Sequence, residues 1–276
     1  MNNEQWGDKA AEILTRVRAA KPLVHHITNF VVMNETANMT LCAGGLPVMA
    51  HAAAEVEEMV AASGALVLNI GTLWPELVDT MAVAGRHANS LGIPVLLDPV
   101  GAGATRLRTD SAKRLLDQVD VAIVRGNAAE AAVLVDLDAS IRGVEAVAGG
   151  VPAAEAASAL ARKYGCVAAV TGAIDVVSDG DRTLTVANGS PMMATVTGTG
   201  CMATAVAGVF AAAEPDALAA AAGALAAYGL AGFVAAHNAK GPGTFHAYLY
   251  DAMAGLTEDA LRVGARIEEE TPDDNA

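Results

Sequence analysis

Five short apolar runs, each closed by a polar or turn-forming residue, constrain this chain more tightly than anything else in it. They read LPVMA, ALVLNIG, PVLLDPVG, VAIVRGN and CVAAVTG, and are rich in Val, Leu and Ile. A strand with one wet face alternates apolar and polar residues, whereas a strand covered on both faces is apolar throughout. Between the runs lie stretches with helical spacing, EVEEMVAAS, PELVDTMAVAGRHANSLG and DSAKRLLDQV. Strand and helix in alternation predict an α/β fold, with a mostly parallel sheet between two layers of helices.

The remaining segments fill out this plan. Amphipathic spacing predicts an opening helix over residues 4–19 and a second over 31–43, stopped by Gly44-Gly45. The segment IDVVSDGDRTLTVAN has two alternating runs about Asp-Gly-Asp and predicts an antiparallel hairpin. Beyond it the chain reads as helical almost to its end. Residues 217–236 are nearly all apolar and long enough to raise the question of a membrane span. They are mostly alanine and glycine, which predicts a buried helix instead. No linker or repeat interrupts the chain, and Gly149-Gly150 reads as a loop. One domain is expected over residues 1–267, followed by an acidic, disordered tail over 268–276.

Composition narrows the function. With 53% hydrophobic and 17% charged residues, the 276-residue chain can build a large core. A formal net charge of −14 argues against nucleic acid and anionic membranes as partners. A small anionic ligand stays compatible where backbone N–H groups hold its phosphates. Cys42, Cys166 and Cys201 are odd in number and form no C-x-x-C pair, which points away from a disulfide framework or a zinc site. The N-terminus lacks the basic-then-apolar pattern of a signal peptide, so a cytoplasmic location is expected.

Candidate functional residues cluster where apolar runs end. Gly198-Thr199-Gly200-Cys201 opens directly into a long apolar helix, the arrangement of a backbone anion nest; the alternative is a plain hairpin-to-helix turn. Asp98 closes PVLLD, at the strand end where open α/β sheets bind ligands and where a carboxylate can hold Mg²⁺. Its alternative is an N-cap or Asx turn before Pro99. Arg125 suits a phosphate. Asn127 and Glu130 fit either a metal-water site or a capping box. Thr171-Gly172 ends CVAAV in the same crevice. Near the N-terminus, HHITNFVVMNETAN offers Asn29 as a substrate contact or a turn residue. The adjacent His25 and His26 point to opposite sides of a strand, which rejects a shared metal. Met49 ends LPVMA as a soft side chain suited to a flat ring or to the core.

In their order along the chain, HHITNFVVMNETAN, GLPVMA, DPVGAG, RGNAAE, VTG and VTGTGCM resemble the hydroxyethylthiazole kinase family of the ribokinase-like superfamily, over about residues 21–210. The resemblance implies a ribokinase-like fold and transfer of phosphate from ATP to 4-methyl-5-(2-hydroxyethyl)thiazole in thiamine salvage, with Mg²⁺. It implies that Met49 and Gly198 contact the thiazole beside Asn29, that Arg125 and Thr171 bind ATP, and that Asp98 and Glu130 support Mg²⁺. The backbone of Gly198, Thr199, Gly200 and Cys201 would form an anion hole, in a homotrimer with sites between subunits. Related sugar kinases carry Asp where this chain has Cys201, so Cys201 is expected to assist without being indispensable, or to be a small residue that fits the turn. A helix N-terminus is expected to lower its pKa. Rival readings are a kinase of hydroxymethylpyrimidine or pyridoxal, an ATP-dependent NAD(P)H-hydrate dehydratase, and an idle nucleotide binder. HHITN and Cys201 argue against the first two, and the intact set of Asp98, Glu130 and the Gly-rich turn against the third.

Overall fold

The structure is a computed structural model that describes residues 1–137 and 151–270. Its strands are β1 (Leu23–Ile27), β2 (Leu46–Val48), β3 (Ala65–Asn69), β4 (Val95–Asp98), β5 (Ile123–Asn127), β6 (Val167–Thr171), β7 (Asp175–Ser178), β8 (Thr183–Val186) and β9 (Ile267–Glu269). They form one sheet in the order β2-β1-β3-β4-β5-β6-β7-β8-β9. The strands from β2 to β6 in that order run parallel, and β7, β8 and β9 each pair antiparallel. Each of the five apolar runs contains one of the parallel strands, and every residue of β3 and β4 is buried.

Helices cover both faces. The first layer contains α1 (Asn3–Ala20), α2 (Met33–Ala43), α8 (Thr199–Ala211), α9 (Ala217–Asn238), α10 (Pro242–Ala254) and α11 (Glu258–Gly264). The second contains α3 (Val56–Ala61), α4 (Pro75–Ser90), α5 (Arg106–Gln118), α6 (Ala128–Leu134) and α7 (Ala153–Tyr164). Along β3 the period of two is plain. Ala65 and Val67 pack under the first layer, Leu66 and Leu68 under the second. The apolar stretch over residues 217–236 is α9, whose most apolar window is 78% buried in the core. A short 3₁₀ turn, Pro191–Thr195, links the β7–β8 hairpin to α8.

Four differences from expectation have local causes. The second helix starts at Met33 rather than residue 31, because the Asn29 side chain takes the N–H groups of Val31 and Val32. The helix expected from Asp110 starts at Arg106, where Thr105 caps it by accepting from Arg108 N. Strand β1 is not one of the five apolar runs, because His25 and His26 interrupt it. Both are fully buried as neutral rings: His25 Nε2 bonds Ala50 O at 2.7 Å and His26 Nε2 meets Thr40 Oγ1 at 3.2 Å. Burial pushes the His26 pKa down to about 3. Finally, Glu268 and Glu269 do not belong to a tail: they pair with β8 in β9, and Glu270 N bonds Thr183 O. Residues 271–276, and the expected loop at Gly149-Gly150, lie outside the described residues.

Candidate active site

The parallel strands deliver their C-terminal ends to one rim, and the strand order reverses between β1 and β3, which opens a crevice there. Asn69 ends β3, Asp98 ends β4, Asn127 ends β5 and Thr171 ends β6, while Asn29 follows β1 by two residues. Into this rim points the N-terminus of α8.

Asn69 is the node of the rim. Buried at 2% exposure, it uses all four of its hydrogen-bonding capacities within the protein. Its Nδ2 donates to Asp98 Oδ2 at 2.9 Å and to Cys201 Sγ at 3.2 Å. Its Oδ1 accepts from Asn29 Nδ2 at 2.7 Å and from Gly71 N at 2.9 Å. Thr204, one turn into α8 from Cys201, donates to Asp98 Oδ2 at 2.9 Å. Asp98 is therefore oriented by the two groups that hold Oδ2, while Oδ1 is buried without a partner and lies 3.9 Å from Arg125 Nη1. Burial pushes the Asp98 carboxyl up to about 6, against the opposing pull of Arg125. The N-cap and Asx alternatives for this residue do not apply.

Cys201 Sγ accepts from Asn69 and, at 3.7 Å, from Asn29 Nδ2. Burial, reinforced by the Asp98 charge, pushes the thiol up to about 12. The expected lowering by the helix terminus is thus outweighed, and the group is a neutral thiol at pH 7. Asn29 holds the turn that leads into α2, accepting from Val31 N and Val32 N, and its Nδ2 also touches the thiol.

Gly198 caps α8 with φ +86°, a left-handed conformation that favours glycine. A Cβ built there would also lie 2.7 Å from Val32 Cγ1. The first-turn N–H groups of Thr199, Gly200 and Cys201 have no acceptor within the helix. The Thr199 hydroxyl turns back to Met193 O at 2.9 Å, so this residue offers backbone rather than side chain. Arg125 lies flat against Gly200, where a Cβ would meet its Nη1 at 2.5 Å, and its Nη2 donates to Thr171 Oγ1. Glu130 adopts the capping box with Asn127, and its other oxygen accepts from Gly101 N at 2.8 Å. The capping-box reading of Glu130 applies, and the capped carboxylate also lines the crevice.

Two cavities meet here. The smaller, about 300 Å³, is lined by Asn29, Asp98, Arg125, Glu130, Gly198 and Cys201, among others. The larger, about 580 Å³, is lined by Arg125, Thr171, Asp175, Asn188, Thr199, Gly200 and Tyr228, among others. Arg125 and Gly200 belong to both. Met49 lines neither: it follows edge strand β2, half-buried. Asn69, Thr204 and Tyr228 were not among the candidates from sequence. A polar residue closing a buried strand was the available signal for Asn69.

The sequence model of the hydroxyethylthiazole kinase family matches residues 14–259. The chain belongs to the hydroxyethylthiazole kinase family. A hydroxyethylthiazole kinase of Chloroflexus aggregans is 54% identical over 262 residues, covering 95% of this chain and 94% of that one. The structure of the hydroxyethylthiazole kinase protein from Pyrococcus horikoshii superposes with a TM-score of 0.87 at 44% identity, covering 95% and 99% of the two chains. A ribokinase-like superfamily protein of Enterococcus faecalis shares the fold at a TM-score of 0.61 and 14% identity, over 87% of this chain and 89% of that one. The fold is ribokinase-like, as the motif order implied, and the chain is an enzyme of a kinase family.

Proposed function

We propose that this enzyme transfers the γ-phosphoryl group of ATP to the hydroxyl of 4-methyl-5-(2-hydroxyethyl)thiazole, in the cytoplasm, as a step of thiamine salvage. Family membership at more than half identity supports the reaction class and the thiazole acceptor. The observation that carries the mechanism is the junction of the two cavities at Arg125 and Gly200. A nucleotide in the larger cavity would direct its terminal phosphate to the N-terminus of α8, and an alcohol in the smaller one would meet it there.

Phosphoryl transfer passes through a loose transition state and depends on positioning and charge stabilisation. In this reading the free N–H groups at residues 199–201 and the Arg125 guanidinium face the transferring group. Thr171 holds Arg125 in place. Asn69 and Asn29 donate to the Cys201 sulfur and keep it at the first turn of α8, against the substrate hydroxyl. The attacking alcohol keeps its proton until late in a loose transition state and then passes it to an oxygen of the transferred phosphoryl group, so a neutral thiol that orients the alcohol is compatible with turnover.

Magnesium belongs to this reading. The unpartnered Oδ1 of buried Asp98 and the Glu130 carboxylate line one cavity and are hard oxygen donors. Such a pair fits an ion that keeps several waters and binds through one or two carboxylates plus substrate phosphates. Asp98 and Glu130 would hold the ion and its waters, and the ion would neutralise phosphate charge. We further propose a homotrimer with sites at subunit boundaries. Leu46 on edge strand β2 and Leu41 on α2, which packs beside it, are exposed apolar residues, and Met49, which follows β2, lies outside the two cavities of its own chain. The cytoplasm suits the three cysteines, all free thiols.

The test is product formation from purified protein, ATP and Mg²⁺ with hydroxyethylthiazole, hydroxymethylpyrimidine and pyridoxal in parallel. Phosphorylation of the thiazole alone is expected. Preference for another alcohol would overturn the substrate, and no turnover of any would overturn the reaction.

A further inference from the structure

Helix α9 has a single polar side chain between Ala217 and Ala236, that of Tyr228. The residue is 2% exposed, and among the described residues its buried hydroxyl has no hydrogen-bond partner. A phenylalanine would fill the same space, and an unpaired buried hydroxyl costs the free protein stability. The hydroxyl therefore adds nothing to the stability of the free protein.

Its surroundings indicate what it serves. Tyr228 lines the larger cavity together with Arg125 and Gly200. The Arg125 Nε is a second buried polar atom on that wall without a partner. Burial drives the ionisation of the phenol far above its ordinary range, and Arg125 is the strongest charge acting on it. The phenol is thus a neutral O–H donor within the field of the guanidinium. An O–H, a guanidinium N–H and the unsatisfied first-turn N–H of Gly200 thus belong to residues that line the same cavity. The complement of such a lining is an acceptor-only anion, as phosphate oxygens are; a nucleobase or ribose also presents donors of its own.

We propose that the Tyr228 hydroxyl binds a phosphate oxygen of the nucleotide, beside Arg125. This rests on reading the larger cavity as the nucleotide site, and it adds a phosphate contact from α9 to those from β5, β6 and α8.

The test is the isosteric variant Tyr228→Phe. Its melting temperature without ligand should equal or exceed that of the wild type. Affinity for ATP and ADP, read by calorimetry in the presence of Mg²⁺, should fall about tenfold or more, the weight of one hydrogen bond to a charged acceptor. Inhibition by adenosine, which lacks phosphates, and the KM for the alcohol should not move. Unchanged ATP and ADP affinity would overturn the proposal. An equal loss for adenosine would place the hydroxyl on the nucleoside and overturn the phosphate assignment. A lower melting temperature would show a hydroxyl already bonded in the free protein and remove the premise. Wild-type protein that failed to bind ATP would overturn the nucleotide reading of the cavity and this proposal with it. Wild-type binding with an unaffected variant would overturn this proposal alone.

Discussion

Substituting Gly198 by alanine puts two separate strains on the N-terminus of α8. At φ +86° a residue with a Cβ costs about 1–2 kcal/mol. The new Cβ would also stand 2.7 Å from Val32 Cγ1, and overpacking of that kind costs about 1–3 kcal/mol. The cheapest relief is to swing the helix start away from Val32, which carries the N–H groups of residues 199–201 with it. A misplacement of about 1 Å at a reacting centre costs roughly a hundredfold in rate, so kcat of Gly198→Ala should fall by about that factor. The clash is separable from the backbone strain. Val32→Ala removes the offending methyl while leaving φ unchanged, at a cost to stability of about 1–2 kcal/mol for two buried methyl groups. The double variant should therefore recover about tenfold or more in kcat over Gly198→Ala, with a stability close to that of Gly198→Ala, because relief of the clash offsets the lost methyl groups. Initial rates of thiazole phosphorylation and melting temperatures for the four proteins complete the cycle. Full activity of Gly198→Ala would sink the anion-hole assignment. Strict additivity in kcat would show that contact with Val32 does not set the position of the helix.

Asn69→Ala removes a donor to Asp98 and leaves Asn29 Nδ2 and Gly71 N without their acceptor. Stability should fall by about 3–4 kcal/mol, a drop of roughly 10 °C in melting temperature, and an unchanged melt would refute the bonding scheme. Cys201→Ala should retain partial turnover and Cys201→Asp should turn over as well. With its thiol near 12, Cys201 should react slowly with iodoacetamide at pH 7, and complete loss of activity in the alanine variant would make the sulfur indispensable. Asp175, which accepts from Gly172 N, has its carboxyl raised by burial from 3.8 to about 6. The folded protein then holds that proton more tightly than the unfolded chain, so its contribution to stability is full below pH 3.8 and lost as the pH rises through 6. Wild-type melting temperature should fall relative to Asp175→Asn across that window and run parallel above it; parallel curves throughout would refute the shift.

How much of this was legible in the sequence depends on which element supplies the residue. Asp98, Arg125 and Thr171 were legible because a run such as VLLD or CVAAVT is buried along its length, so its last polar residue must sit at the rim where parallel strands end. The same logic applied to Asn69 in ALVLNIG, and was obscured only because the run continues with Ile70. Residues 198–201 were legible through glycine, since a positive φ at a helix start leaves a trace in residue type. Thr204 and Tyr228 left no such trace. Each lies inside an apolar stretch of its helix, Thr204 between Met202 and Ala211 and Tyr228 between Ala217 and Ala236, and spacing alone does not tell which way such a helix is rotated, because no amphipathic stripe marks the face turned to the sheet. Strand β9 was hidden for the opposite reason. Its three residues, Ile-Glu-Glu, have one buried position between them, and pairing with β8 rather than apolar pattern makes them a strand. Where a helix is apolar all round, a polar residue inside it is better read by its cost, because burial without a partner is unfavourable unless something else supplies one. On the proposal made for α9, Tyr228 would join the site for the same reason as Asp98, each carrying a buried polar atom that is unpaired among the described residues.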